Sequence, residues 1–277
     1  MNISEMFYSI QGEGKRIGVP SYFIRLTGCN LHCGFDLKDL NKITQNNLEE
    51  YKKGSWICDS VNVWKKGKKY TTNDIVSFLL EEARKYNYSN LVITGGEPLL
   101  QINELKNFLI NFIPNYKGTI EVETNGTLDP SLIFSFVDNF NVSPKLYLFP
   151  DENWINEKWY DLLSLKNDKI VWKFVVSSRK DVEIIDEWRL KHNIDRSSIY
   201  IMPASENREQ LLKNSLSIIE LAKEFGFNFN DAGQTIKTFF IFSSVLIYAR
   251  TSTVFPNPIS SAMSTFLFFV INFTAIF

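Results

Sequence analysis

Short apolar runs alternate with stretches of helical periodicity along most of this chain. PSYFIRLT (Pro20–Thr27) reads as a strand ending at Gly28. LVIT (Leu91–Thr94) reads as a buried strand stopped by Gly95-Gly96, and TIEVET (Thr119–Thr124) as another stopped by Asn125-Gly126. A fourth strand is expected to begin at Asn141–Ser143, a fifth to run over Lys169–Val176 and a sixth over Ser198–Pro203. Thr71 to Asp74 offer helix N-caps, followed by Ile75, Leu79, Ala83 and Tyr86 at helical spacing. Leu105, Phe108, Leu109 and Phe112 share one face of the next helix. Pro130 is expected to open a helix to about Asn139. Further helices are expected over Asp181–Lys191 and Glu209–Phe225, the last burying Leu212, Leu216, Ile219 and Ala222.

Strands alternating with helices of roughly 10–16 residues predict parallel βαβ units and an α/β fold. Six units are too few for an eight-fold barrel, so an open, partial (βα)6 barrel is expected. Ligands in such folds bind at the C-terminal ends of the strands. Gly28-Cys29, Thr94–Glu97, Thr124-Asn125, Ser143–Lys145 and Met202-Pro203 all fall there and should share one mouth. Two stretches interrupt the pattern: the polar, charged segment Gly34–Ile57, and an apolar tail from about Gln234 to Phe277. The expected organisation is thus a domain over 1–233 with a 34–57 insertion, then the tail.

Composition narrows the chemistry. The chain has 277 residues, 44% of them hydrophobic, and a net charge of −1, which gives no electrostatic case for a nucleic-acid partner. Three cysteines, an odd number near one end, argue against a disulfide framework and fit a reducing, cytoplasmic setting. The N-terminal MNISEMFYSIQGEG has neither a basic region nor an apolar run, so no secretory signal is expected. Iron–sulfur clusters usually take four cysteines. Cys29, Cys33 and Cys58 could hold three corners of a cube and leave one iron open to a small molecule. The same thiols with His32 also make a Cys₃His set, so a non-catalytic zinc protein is an alternative. His32 is expected to face solvent beside the thiols, and His192 to complement a helix C-terminus at the surface.

Cysteines after one strand and GGEP after the next resemble the radical S-adenosylmethionine (SAM) superfamily. YSIQGEG (Tyr8–Gly14), RLTGCNL (Arg25–Leu31), CDS (Cys58–Ser60), TGGEP (Thr94–Pro98), ETNG (Glu123–Gly126) and SPK (Ser143–Lys145) narrow this. Together, over roughly residues 1–230, they resemble the 7-carboxy-7-deazaguanine synthase family of 7-deazapurine (queuosine-type) biosynthesis. The resemblance implies a 4Fe–4S cluster on Cys29, Cys33 and Cys58, with SAM on the open iron. It implies a 5′-deoxyadenosyl radical that attacks 6-carboxy-5,6,7,8-tetrahydropterin, contracting the ring with loss of ammonia. Gln11, Gly12, Glu13, Arg25 and Thr94 match substrate-binding positions. Gln11 and Glu13 suit a pterin's donor and acceptor edge, and Arg25 offers a planar fork to its carboxylate. Gly96, Glu97, Ser143, Lys145 and Met202 match positions near SAM. Glu121 and Glu123 alternate with Val122, and one of them should face the mouth. Ser60 stands where the family usually has a threonine near Mg²⁺. A homodimer and a flavodoxin-like electron donor are also implied. A radical SAM activase acting on a protein partner is the nearest enzymatic alternative.

Two departures stand out. The family's usual spacing is C-x3-C-x2-C, whereas 24 residues separate Cys33 from Cys58 here. Loop closure costs grow slowly with length, so a surface excursion that returns Cys58 to the cluster is expected. After Asp231 the only charges are Lys237 and Arg250. A stretch of about 19 residues after Pro258 is borderline for a membrane span, which needs ~20. Three readings stay open: a frameshifted end, a membrane-associated tail, or a tail that packs on the barrel or a dimer interface.

Overall fold

The structure, a computed structural model, describes residues 1–44, 46–53, 57–58, 60–86, 88–146, 155–165, 167–205 and 208–230. The expectations for the tail lie outside these residues. In chain order the elements are β1 (Asn2–Ile10), β2 (Pro20–Leu26), α1 (Leu48–Tyr51), α2 (Val61–Trp64), β3 (Lys68–Lys69), α3 (Thr72–Tyr86), β4 (Asn90–Gly95) and α4 (Ile102–Phe112). Then follow β5 (Thr119–Thr124), β6 (Asn139–Val142), α5 (Lys158–Leu165), β7 (Ile170–Val176), α6 (Arg179–Lys191), β8 (Ile199–Pro203), α7 (Arg208–Phe225) and β9 (Asn228–Phe229).

Among the described residues these strands form one sheet in the order β3-β1-β2-β4-β5-β6-β7-β8-β9. From β2 to β9 the pairing is parallel, while β1 runs antiparallel to β2. No pairing joins β3 to β9, so the sheet is open there. Tyr22, Ile24, Leu91, Ile93, Ile120, Val122, Phe140, Trp172 and Phe174 point to one face, where α3 to α7 pack. The expected α4 residues Leu105, Phe108, Leu109 and Phe112 are all fully buried there. Burying such a side chain contributes ~1.5–3 kcal/mol, which makes this face the main source of stability. Side chains alternate along a strand, so the intervening positions face away from the helices. That opposite face carries Arg25, Thr94, Glu121 and Glu123.

Three sequence expectations need correction. The strand β1 was not foreseen, because its buried positions Ile3 and Phe7 are separated by half-buried Ser4, Glu5 and Met6. The helix expected from Pro130 to Asn139 is absent. Ser131 N donates to Asp129 Oδ1 at 2.8 Å, and Ile133 N to the Pro130 carbonyl at 3.0 Å, which makes tight turns. Asp138 already brackets Ile120 through both backbone and side chain, so β6 begins at Asn139 and too few residues remain for a helix. Finally, α7 buries Leu211, Ile218, Leu221 and Ala222, whereas Leu212 and Leu216 are 63% and 72% exposed. Asn214 Nδ2 donates to the Ala204 carbonyl at 2.8 Å, and this anchor sets the helix rotation. Among the described residues no helix is long and apolar enough to cross a membrane.

Candidate active site

The cysteines gather where β2 ends. Gly28, with φ +86°, turns the chain into the Cys29 loop, and its N–H donates to the Trp64 carbonyl at 2.9 Å. The 34–57 excursion is closed at both ends. Lys53 N donates to the Gly34 carbonyl at 2.7 Å, and Cys58 N to the Cys33 carbonyl at 2.9 Å. Phe35, Ile43, Val61 and Trp64 form a small core of their own, with Cys29 and Cys58 packed against it. Cys58 thus lies beside Cys33 despite the long insertion. Leu31 N donates to Cys29 Sγ at 3.4 Å, and Ser60 Oγ lies 3.6 Å from Cys58 Sγ.

These residues fit a cluster. Burial, reinforced by Glu97 and the other two thiols, pushes the Cys29 thiol up to about 12. A metal in the proton's place would favour its thiolate form. Among the described residues no three His, Cys, Asp or Glu side chains converge where one ion could sit. His32 is exposed, as expected, with its ring edge toward Phe35. His192 is not a plain surface residue: it is half-buried and stacks on Tyr160 with ring centroids 4.1 Å apart.

The glycine-rich loop after β4 braces the cysteine loop. A Cβ on Gly96 would lie 2.8 Å from Cys29 Cβ and closer still to the Gly28 carbonyl oxygen. Gly96 is therefore required by the cysteine loop itself. Glu97 N donates to that same carbonyl at 2.8 Å. The Glu97 carboxylate is fully buried and accepts from Leu99 N (3.0 Å), Thr124 Oγ1 (2.8 Å) and Asn125 N (2.7 Å). It ties the ends of β4 and β5 together, and burial pushes its carboxyl up to about 7. Asn125 Nδ2 in turn donates to Asn30 Oδ1 in the cysteine loop at 3.0 Å. Ser143 N donates to the Thr124 carbonyl at 2.8 Å, and Lys145 Nζ to Ser143 Oγ at 3.4 Å. Met202, buried on β8, pairs with Val175 of β7.

The other candidates lie on the sheet face away from the helices. Because β1 is antiparallel, the loop with Gln11, Gly12 and Glu13 sits at the N-terminal edge of the parallel strands, opposite the cysteines. Gln11 is 1% exposed. Its Nε2 donates to Glu121 Oε1 and, at 3.1 Å, to Glu123 Oε1, while its Oε1 accepts from Gly12 N at 2.8 Å. Thr94 Oγ1 donates to Glu123 Oε2 at 2.8 Å. Arg25 Nε donates to Glu5 Oε1 at 2.7 Å. Both Glu121 and Glu123 are on this face, not one of them, because residues two apart on a strand point the same way. Burial, then the Glu123 charge, pushes Glu121 up to about 7. Burial and Glu13 also raise Glu123.

The sequence reading missed several members of this array. Lys173 of β7 pairs with Glu13, Arg16 lies 3.5 Å from Glu121, and Asn139 Nδ2 donates to Glu121 Oε2 at 3.2 Å and Asn141 Oδ1 at 2.9 Å. A lone lysine inside the apolar run IVWKFVV was the available signal.

A family described as a 4Fe-4S single cluster domain matches residues 10–129, the stretch holding all three cysteines. The chain is similar to 7-carboxy-7-deazaguanine synthase of Hyperthermus butylicus, 31% identical over 242 residues that cover 83% of this chain and 89% of the relative. The enzyme of that name from Clostridium acetobutylicum is 35% identical over 214 residues, covering 73% and 80%. A crystal structure of QueE from Escherichia coli shares the fold, with TM-score 0.52 and 22% identity over 82% of this chain and 92% of that one. Fold and thiol loop together define a radical SAM enzyme with a 4Fe–4S cluster. The chain belongs to the 7-carboxy-7-deazaguanine synthase family. That membership sets aside the zinc-protein and activase readings.

Proposed function

We propose that this chain converts 6-carboxy-5,6,7,8-tetrahydropterin to 7-carboxy-7-deazaguanine, with each candidate residue in the role its surroundings suit. The observation that carries this reading is one sheet with three thiols at its C-terminal edge and a paired carboxylate–amide array on its polar face. When bound, the cluster on Cys29, Cys33 and Cys58 and its SAM supply the radical chemistry. Gly96, Glu97, Ser143, Lys145 and Met202 border SAM, with Glu97 keeping the loop rigid. Ser60 offers a hydroxyl to Mg²⁺ beside the substrate.

The charges suit the substrate. Among the described residues on this face, Arg25 pairs with Glu5, Arg16 with Glu121 and Lys173 with Glu13. Glu123 accepts from the neutral donors Thr94 and Gln11, feels the Lys173 charge, and has lone pairs left over on its two oxygens. A reduced pterin brings several N–H donors and meets that spare acceptor capacity. Gln11, with its amide orientation pinned by Gly12 N and the two glutamates, reads the ring edge alongside Glu13 and Thr94. Arg25 shares its fork between Glu5 and the substrate carboxylate. A homodimer, a flavodoxin-like electron donor and a cytoplasmic location complete the proposal. Anaerobic turnover with SAM, Mg²⁺, a reductant and the tetrahydropterin, followed by mass spectrometry, tests it. Product and 5′-deoxyadenosine are expected; deoxyadenosine alone would redirect the substrate assignment.

A further inference from the structure

Lys173 stands apart from the other cations of the polar face. It is the lone charge in the middle of β7, and its neighbours on the strand are Trp172 and Phe174, both fully buried on the helix side. Its side chain is 12% exposed and reaches Glu13 across a sequence separation of 160 residues. Its charge also acts on Glu123. One ammonium therefore bears on two carboxylates delivered by different parts of the chain. Glu13 comes from the loop at the N-terminal edge, and Glu123 from β5. Between β5 and β7 lies β6, whose Asn141 sits under the same loop: a Cβ on Gly14 would overlap its amide. A strand lysine serving only stability is a poor choice here. Replacing a buried ion pair by apolar residues is often neutral or stabilising.

We propose that Lys173 is a positioning residue for the substrate: it holds Glu13 at the pterin site and offsets the charge of Glu13 and Glu123 together. This rests on the tetrahydropterin reading above. Lys173 pairs with the loop at the N-terminal edge of the sheet, whereas the cysteine loop follows the C-terminal end of β2. Its removal should therefore leave SAM chemistry intact and weaken substrate use.

The test uses the reconstituted holoenzyme with Lys173→Gln and Lys173→Arg. Lys173→Gln should raise KM for the tetrahydropterin at least about tenfold with kcat changed less than about threefold. Substrate-independent cleavage of SAM to 5′-deoxyadenosine and cluster absorbance should stay at wild-type levels. Lys173→Arg, which keeps the charge, should recover KM to within about threefold. Glu13→Gln combined with Lys173→Gln should be no worse than Glu13→Gln alone. An unmoved KM in Lys173→Gln overturns the proposal, as does multiplicative loss in the double variant or equal loss of SAM cleavage and product. Wild-type turnover reports on the parent reading separately. No deazaguanine from wild type removes both, whereas product from wild type with an unmoved KM in Lys173→Gln removes only the role of Lys173.

Discussion

At the C-terminal edge of the sheet, the cysteine loop is held by backbone hydrogen bonds, two glycines and one carboxylate already satisfied by three donors. At the N-terminal edge, the Gln11–Arg16 loop is held by ion pairs and amides aimed at the polar face. The first arrangement leaves no room for a side chain at Gly96 and is held without an ion pair between its named residues. The second depends on charge, with its carboxylates set against Arg16, Lys173, Gln11, Thr94 and Asn139. One edge fixes a geometry; under the proposed function, the other reads the ligand. Substitutions at the first should therefore stop SAM cleavage itself. Substitutions at the second should stop product formation while deoxyadenosine still appears.

The largest effect should come from Cys58→Ala. Cluster iron and absorbance should fall sharply, and both deoxyadenosine and product should drop to background. An unchanged cluster yield would break the comparison at its first edge. Gly96→Ala comes next. Its Cβ overlaps the Gly28 carbonyl and Cys29, and overpacking of this kind costs ~1–3 kcal/mol. Chemical denaturation should show that loss, with lower cluster loading. Gly14→Ala places a side chain at φ +68° and against Asn141, at a strain cost of ~1–3 kcal/mol. Cluster loading should survive here while KM for the tetrahydropterin rises, which separates the two edges.

The smallest effect concerns pH. Burial, with Glu123, holds the Glu121 carboxyl at about 7 in the folded protein, against an ordinary 4.5. The native state then keeps a proton that the unfolded chain gives up. The contribution of Glu121 to stability is greatest below about pH 4.5 and is lost as pH rises to about 7, by roughly 1 kcal/mol per unit. Glu121→Gln cannot titrate, so its denaturant midpoint should vary less between about pH 5 and about pH 7 than that of wild type. Equal slopes in the two proteins would mean that Glu121 is ionised in the native state.

The two edges also differed in how far they could be read in advance. The cysteine edge was legible because its signals are local: Gly28-Cys29, GGEP and ETNG each stand at the end of an expected strand. The return of Cys58 followed from weak length dependence of loop closure, and the Cys58–Cys33 backbone bond fits it. The polar face was legible only in part. Gln11, Glu13, Arg25 and Thr94 were singled out, but their partners come from strands far apart in sequence, and pairing register is not written locally. Lys173 and Asn141 read as ordinary strand residues, and Asn139 as the end of a helix, until β6 and β7 are set side by side. Helix α7 failed for a different reason. Its sequence carries apolar residues on two overlapping faces, and tertiary packing, with the Asn214 anchor, selects between them. Leu216→Lys on the exposed face should shift stability by no more than about 0.5 kcal/mol, whereas Ile218→Ala should cost ~2–4 kcal/mol.

The most direct measurement is anaerobic turnover of the reconstituted protein with SAM, Mg²⁺, a reductant and 6-carboxytetrahydropterin, read by mass spectrometry. The account predicts 7-carboxy-7-deazaguanine together with 5′-deoxyadenosine. A brown, folded protein that cleaves SAM yet leaves the tetrahydropterin unchanged would contradict it.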